Sequence, residues 1–219
     1  MRFIFKNIKR VSPDCPILFC DDDLLVVGKP AGLLTVRGKG ADKQDCLQAR
    51  LQTQFADVRI IHRLDQDTSG ILVFARHLTA QQHINKQFEQ RQVNKHYIAV
   101  VYGHIAQMRG EIDAPLRYDP EHPPLHIVDY DNGQHALTQW QVLSRHAKST
   151  RVLLKPITGR SHQLRVHMQT LGHPIVGDTL YAPPEAILLS PRLCLHAETL
   201  EFTHPLHNQP LRFSWPAPF

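Results

Sequence analysis

The chain has 219 residues, 42% of them apolar and 21% charged, with 25 Lys plus Arg against 20 Asp plus Glu. That length allows one sizeable core without requiring two domains, and the small basic excess points in a general way to a polyanionic partner such as nucleic acid. No apolar stretch nears the roughly 18 residues of a membrane helix, the start Met1-Arg2-Phe3-Ile4-Phe5-Lys6 is too short and too soon charged for a signal peptide, and Cys15, Cys20, Cys46 and Cys194 form no Cys-x-x-Cys pair, so reduced thiols in a cytoplasmic protein are expected.

Residues 1–16 read as a loosely tethered lead-in. Ile17-Leu18-Phe19-Cys20 and Leu24-Leu25-Val26-Val27-Gly28, joined at Asp21-Asp22-Asp23, predict a β-hairpin, and Lys29-Pro30-Ala31-Gly32-Leu33-Leu34 a tight bend. Leu47, Leu51 and Phe55 recur every fourth residue, which predicts a helix between Gln44 and Phe55. The stretch 61–69 places His62, Arg63, Asp65 and Asp67 on a turn, and from Gly70 to Ala75 an apolar run predicts a buried strand behind them. Thr79 is the expected cap of a helix running to about Arg91, with Ile84 and Phe88 inward. Lys95 to Gly103 predicts a strand; Pro115 to Gly133 predicts a long surface loop, a binding arm or a plain connection, with a turn at Asp131-Asn132-Gly133. Strands at 137–144 and 151–156, a helix at 161–171 with Leu164, Met168 and Leu171 on one stripe, and closing strands at 193–202 and 211–214 complete the chain. Strands that outnumber helices and follow one another directly predict an α+β fold around a largely antiparallel sheet.

From Asn132 to Gly177 there is no Asp or Glu, while Arg145, Lys148, Arg151, Lys155, Arg160 and Arg165 all fall inside. This is either a phosphate-binding surface or a set of scattered surface cations. Asp65-x-Asp67-x-Ser69-Gly70 opens like a calcium loop, but Arg76 stands at its twelfth position and a strand follows. Gly32 to Lys39 has the wrong spacer for a phosphate loop. His162 and His167 lie about 140° apart around a helix and cannot share one zinc. No metal, nucleotide or flavin is called for.

An Asp in a turn commonly bonds its own backbone, and Asp67 with Thr68 and Ser69 suits that role. Asp65 differs by its neighbours His62 and Arg63. Arg165, between Leu164 and Val166, is a partly buried cation in want of a carboxylate. No acid lies in its helix or near it, so its partner is expected from a distant segment, with Asp65 a candidate.

His62-Arg63-Leu64-Asp65-x-x-Thr68-Ser69-Gly70 resembles the signature of the RluA-type pseudouridine synthases. So do Leu25-Val26-Val27-x-Lys29-Pro30-Ala31-Gly32-Leu33, Lys95-x-Tyr97-x-Ala99-Val100, Thr158-Gly159-Arg160-Ser161-His162-Gln163-Leu164-Arg165-Val166-His167 with Gly172-His173-Pro174-Ile175-x-Gly177-Asp178, and Arg192-Leu193-Cys194-Leu195-His196-Ala197, in the family's order. Gly28, where Asn is common, is a departure expected to matter little. The detail is closest to the RluA subgroup without an S4 domain. The resemblance implies a single catalytic domain at 17–219 that isomerises specific uridines to pseudouridine in structured RNA, a 23S-type ribosomal loop or a tRNA anticodon stem-loop, without cofactor, membrane or obligatory protein partner. It implies Asp65 as the catalytic carboxylate, acting as nucleophile or by taking the 2′ proton. Arg165 would be its ion partner, Tyr97 the residue stacked on uracil, Arg63 the filler of the vacated base position and Leu195 an apolar wall. His62 and Arg160 join the substrate-binding residues. The rivals are a non-catalytic RNA-binding protein of the same fold and a carboxylate hydrolase, which would need a second acid, with Asp67 the near candidate.

Overall fold

The structure, a computed structural model, describes residues 10–12 and 14–219, with side chains from residue 14. In chain order its elements are β1 (Arg10–Ser12), β2 (Cys15–Cys20), β3 (Leu24–Lys29), α1 (Leu47–Gln52), β4 (Arg59–Ile60), β5 (Ser69–Ala75), α2 (Leu78–Glu89), β6 (Asn94–Tyr102) and β7 (Arg109–Asp113). There follow β8 (Leu116–Tyr118), β9 (His126–Val128), β10 (Leu137–His146), β11 (Ser149–Pro156), α3 (Gln163–Thr170), α4 (Pro184–Ile187), β12 (Leu195–Thr203) and β13 (Pro210–Ser214). Two compact units result, one of the chain up to Asn94 plus Ala197–Ala217, the other of Lys95–His196 plus Pro218–Phe219. The predicted α+β class holds: in each unit the strand ladders run antiparallel and the helices are few. The lead-in at 1–16 falls outside the described residues at 1–9 and 13; at 10–12 and from Cys15 the chain is already strand, β1 pairing with β2.

In the first unit β3 and β5 are buried along their whole length, as continuous apolar runs in a sheet interior should be. They pair antiparallel, Val26 opposite Val73, with β2 beyond β3. Ile84 of α2 packs there with Leu24, Ile71, Leu200 and Phe213. Gly28 sits under Trp215: a Cβ at residue 28 would lie 2.6 Å from the indole, so the ring leaves no room for a side chain there. The helix at 44–55 is shorter than predicted, but Leu47 and Leu51 face the core. The cap of α2 is His77, not Thr79: its Nδ1 accepts the Ala80 N–H at 3.2 Å.

In the second unit β10 and β11 form a hairpin with inward Thr138, Trp140, Val142, Val152 and Leu154, and β6 and β7 flank it. Met168 of α3 packs on this face with Ala99, Val101 and Ile175. The loop expected at 115–133 is instead a two-stranded ribbon, β8 against β9. Its turn at 129–133 forms as predicted, Asp129 Oδ1 accepting the N–H groups of Asp131 and Asn132. Asp119, Glu121, Asp129 and Asp131 against Arg117, itself paired with Asp129, leave the ribbon acidic, which disfavours a phosphate-binding arm.

Candidate active site

In the first unit Asp65 is half-buried, in the bend between β4 and β5. The backbone is pinned on either side of it. Before it, Thr35 Oγ1 donates to Leu64 O at 2.7 Å and accepts from Leu64 N at 3.2 Å. After it, Gln66 O accepts from Gly32 N and from the Lys29 ammonium, both at 2.9 Å, while Gln66 Nε2 donates to Gly32 O. Lys29 is fully buried and also donates to Pro30 O and Leu33 O. An ammonium with three carbonyl acceptors is satisfied as a buried cation must be, and it welds the 29–33 bend to the Asp65 turn. Lys29 and Thr35 were not singled out from sequence, although Lys29 lies in a quoted motif. Within its unit the Asp65 carboxylate itself takes no hydrogen bond among the described residues.

His62 braces the strand behind the bend. Its Nε2 accepts the Val73 N–H at 3.1 Å and its ring stacks on Phe88, so the ring proton sits on Nδ1. Arg63 is exposed, Asp67 half-buried, and Thr68 and Ser69 are buried. Gly70 has φ +131°, and a Cβ there would collide with the backbone of Ala197, so only glycine opens this strand.

In the second unit α3 is buried on nearly every side, from Gln163 through Met168, and its polar members must find partners. Arg165, 2% exposed, finds Asp178: Nε donates to Oδ2 at 2.8 Å and Nη2 to Oδ1 at 2.6 Å. This corrects the expectation that no acid lay near enough in sequence. Asp178 stands one residue past the acid-free run, beyond the helix, on a turn that Gly177 makes possible because a Cβ there would enter the Arg192 carbonyl. The Arg165 Cζ also lies 5.1 Å from the centre of the Tyr181 ring.

Gln163 Nε2 donates to Thr138 Oγ1, Thr138 Oγ1 meets His167 Nδ1 at 2.8 Å, and His167 Nε2 meets Ala114 O at 3.0 Å. Thr138 must therefore donate to Nδ1, which makes His167 a neutral Nε2–H imidazole. Burial pushes its pKa down, opposed in part by the Ala114 carbonyl. His162, the N-cap of α3, has φ 55° and bonds the Tyr181 hydroxyl at 2.6 Å. The two imidazoles are thus bound to different partners.

Tyr97 is half-buried on β6, opposite Leu154 of β11, and shares its strand face with Lys95, whose pKa burial lowers. Leu195 is buried at the start of β12, and Arg160 is exposed, its Nε donating to His135 O at 3.1 Å. The acid-free run divides by role. Arg145 is spent on the carbonyls of Ile105 and Ala106, Arg151 on that of Phe219, Arg160 on that of His135 and Arg165 on Asp178, while Lys148 is exposed and Lys155 half-buried. Four of the six cations bond within the fold.

Two groups among the described residues have the make-up of a metal site, Asp23 with His204 and His207, and Asp119 with Glu121 and His122. The first is wrongly protonated for one. His204 Nδ1 accepts the N–H groups of Leu206 and His207, so its proton is on Nε2, which donates to Asp21 Oδ2 at 2.8 Å. His77, an acceptor at Nδ1, likewise donates from Nε2 to Asp23. A metal at either Nε2 would require an imidazolate, whereas ligating histidines normally donate from the other nitrogen. These imidazoles clamp the β2–β3 turn.

The sequence matches the family described as RNA pseudouridylate synthase over residues 23–170. It is 46% identical over 209 residues to the "Dual-specificity RNA pseudouridine synthase RluA" of Pasteurella multocida (strain Pm70), covering 95% of each chain, and equally so to that of Escherichia coli (strain K12). Among solved structures it is similar to Human RNA Pseudouridylate Synthase Domain Containing 1, with TM-score 0.79 and 32% identity, covering 98% of this chain and 87% of that one. Human RNA Pseudouridylate Synthase Domain Containing 4 follows with TM-score 0.73 and 28% identity, covering 92% and 88%.

Proposed function

The chain belongs to the RNA pseudouridylate synthase family and is an RNA pseudouridine synthase, and we propose that Asp65 starts its reaction on a uridine drawn out of folded RNA. The N1–C1′ bond breaks, the uracil turns, and C5 joins C1′; the proton lost from C5 is balanced by one gained at N1. Asp65 opens the glycosidic bond by attack at C1′ or by removal of the 2′ proton. Either route needs an ionised carboxylate on a rigid support that can exchange partners during turnover. One observation carries the assignment: the backbone around Asp65 is pinned from both sides while its carboxylate is left without a hydrogen bond in its own unit.

In this reading Arg165 orients the carboxylate, Tyr97 stacks on the uracil and assists loss of the C5 proton, and Leu195 walls the pocket. Arg63 takes the place the base has left, and His62 and Arg160 serve the bound RNA, His62 by bracing the bend. The two units act as one catalytic domain over 17–219; the family's order of motifs supports their joint action. The dual specificity in the names of the relatives supports more than one RNA substrate; the two proposed for this chain are a large-subunit ribosomal RNA loop and a tRNA anticodon stem-loop. Action in the cytoplasm belongs to the proposal; no helix among the described residues is long and apolar enough to cross a membrane.

The test is release of tritium from RNA labelled at uridine C5. Wild type is expected to release it, and Asp65→Asn to bind the same RNA without release. Release by Asp65→Asn at the wild-type rate removes the assignment, and free uracil in place of pseudouridine makes the protein a hydrolase.

A further inference from the structure

Arg165 is gripped more tightly than charge neutralisation demands. A guanidinium carries two hydrogen-bonding forks, one from Nε–H with an Nη–H and one from its two Nη groups. Asp178 occupies the first, through Oδ2 at 2.8 Å and Oδ1 at 2.6 Å. The carboxylate cannot swivel, because Oδ1 also accepts the N–H groups of Leu180 at 3.0 Å and Tyr181 at 3.2 Å. The Tyr181 ring stands beside the guanidinium, and its hydroxyl is itself tied, accepting the His126 N–H at 2.9 Å and meeting His162 Nδ1. Plane, roll and position of the guanidinium are all set from within one unit.

We propose that Asp178 and Tyr181 are positioning residues for the reaction: they lock Arg165 through one fork so that its other fork is held ready for the reacting carboxylate, a step that rests on Arg165 working in turnover. With Asp178 ionised the buried pair is close to neutral, so Arg165 acts by directed N–H donation more than by net charge. A misdirected fork costs rate while leaving RNA affinity intact, since the affinity comes from contacts elsewhere.

Single-turnover tritium release and RNA affinity are measured for wild type, Arg165→Lys, Asp178→Asn and the double variant, with circular-dichroism melts to score folding. Lysine cannot form two forks. Asp178→Asn is expected to slow release about 100-fold with RNA affinity within about threefold of wild type, and to cost little more in the Arg165→Lys background. Tyr181→Leu, should Asp178→Asn not fold, is expected to slow release by about tenfold, again without further loss beside Arg165→Lys. Losses that multiply in the double variants overturn the proposal, since a residue that only supports the fold adds its cost independently. Full activity of Asp178→Asn and Tyr181→Leu overturns it too. If Arg165→Lys releases tritium at the wild-type rate, the role of Arg165 falls, and the positioning role with it.

Discussion

The Asp65 bend and the Arg165 helix solve the same problem in opposite ways. The bend is anchored through its main chain: Lys29, Gly32 and Thr35 hold the peptide groups of Leu64 and Gln66, and the carboxylate between them stays half-exposed. The helix is anchored through side chains: Gln163, Arg165 and His167 are buried and each meets a fixed partner. Main-chain anchoring leaves a side chain at liberty to react. Side-chain anchoring spends that liberty on direction, which suits a group that guides and is not consumed.

If this contrast is right, stability and activity respond differently in the two places. The largest loss of stability is expected from Arg165→Met, which leaves Asp178 buried without its counter-charge, about 3–5 kcal/mol by urea unfolding, with turnover lost; Asp65→Asn should lose turnover at almost no cost in stability. Lys29→Met comes next, stranding three carbonyl oxygens for about 2–4 kcal/mol and slowing tritium release although the residue lies outside the chemistry. Unchanged release in a folded Lys29→Met protein would break the claim that the bend is held through its backbone.

Smaller again, Thr35→Val strands the N–H and C=O of Leu64, for about 1–2 kcal/mol and a several-fold slower release. The mildest effect is a pH dependence. Burial lowers the folded-state pKa of His167 below its ordinary value. Above about pH 6.5 both folded and unfolded states hold it neutral, and its contribution is complete. As pH falls further the unfolded chain takes up the proton first, so stability declines towards the folded-state pKa. The melting temperature of wild type should drop through this window more steeply than that of His167→Gln; parallel curves would show that the Thr138–His167–Ala114 chain does not govern it.

Much of the fold was legible because its signals are local. Apolar runs of five residues in β3 and six in β5, and alternation at β10 and β11, mark strands without tertiary information. Where the reading failed, the deciding partner lay elsewhere. His77 caps α2 because an imidazole held by Asp23 turns its Nδ1 to the helix, which a rule favouring Thr79 cannot anticipate. The β8–β9 ribbon has three residues per strand, too few for a period to show. Asp65 was visible through its motif, but Lys29 and Thr35 hold the backbone beside it across 37 and 29 residues of chain. Asp178 stands one position past the acid-free run and beyond the turn at Gly177, so chain distance from Arg165 gives no sign that the two side chains meet.

The glycine under Trp215 limits what two distant positions can hold together. A side chain at position 28 and an indole at position 215 claim the same volume, so a larger residue at 28 requires the ring to move or to be replaced. The residue after β13 thereby rests on the main chain of β3, and a change at either position is felt at the other.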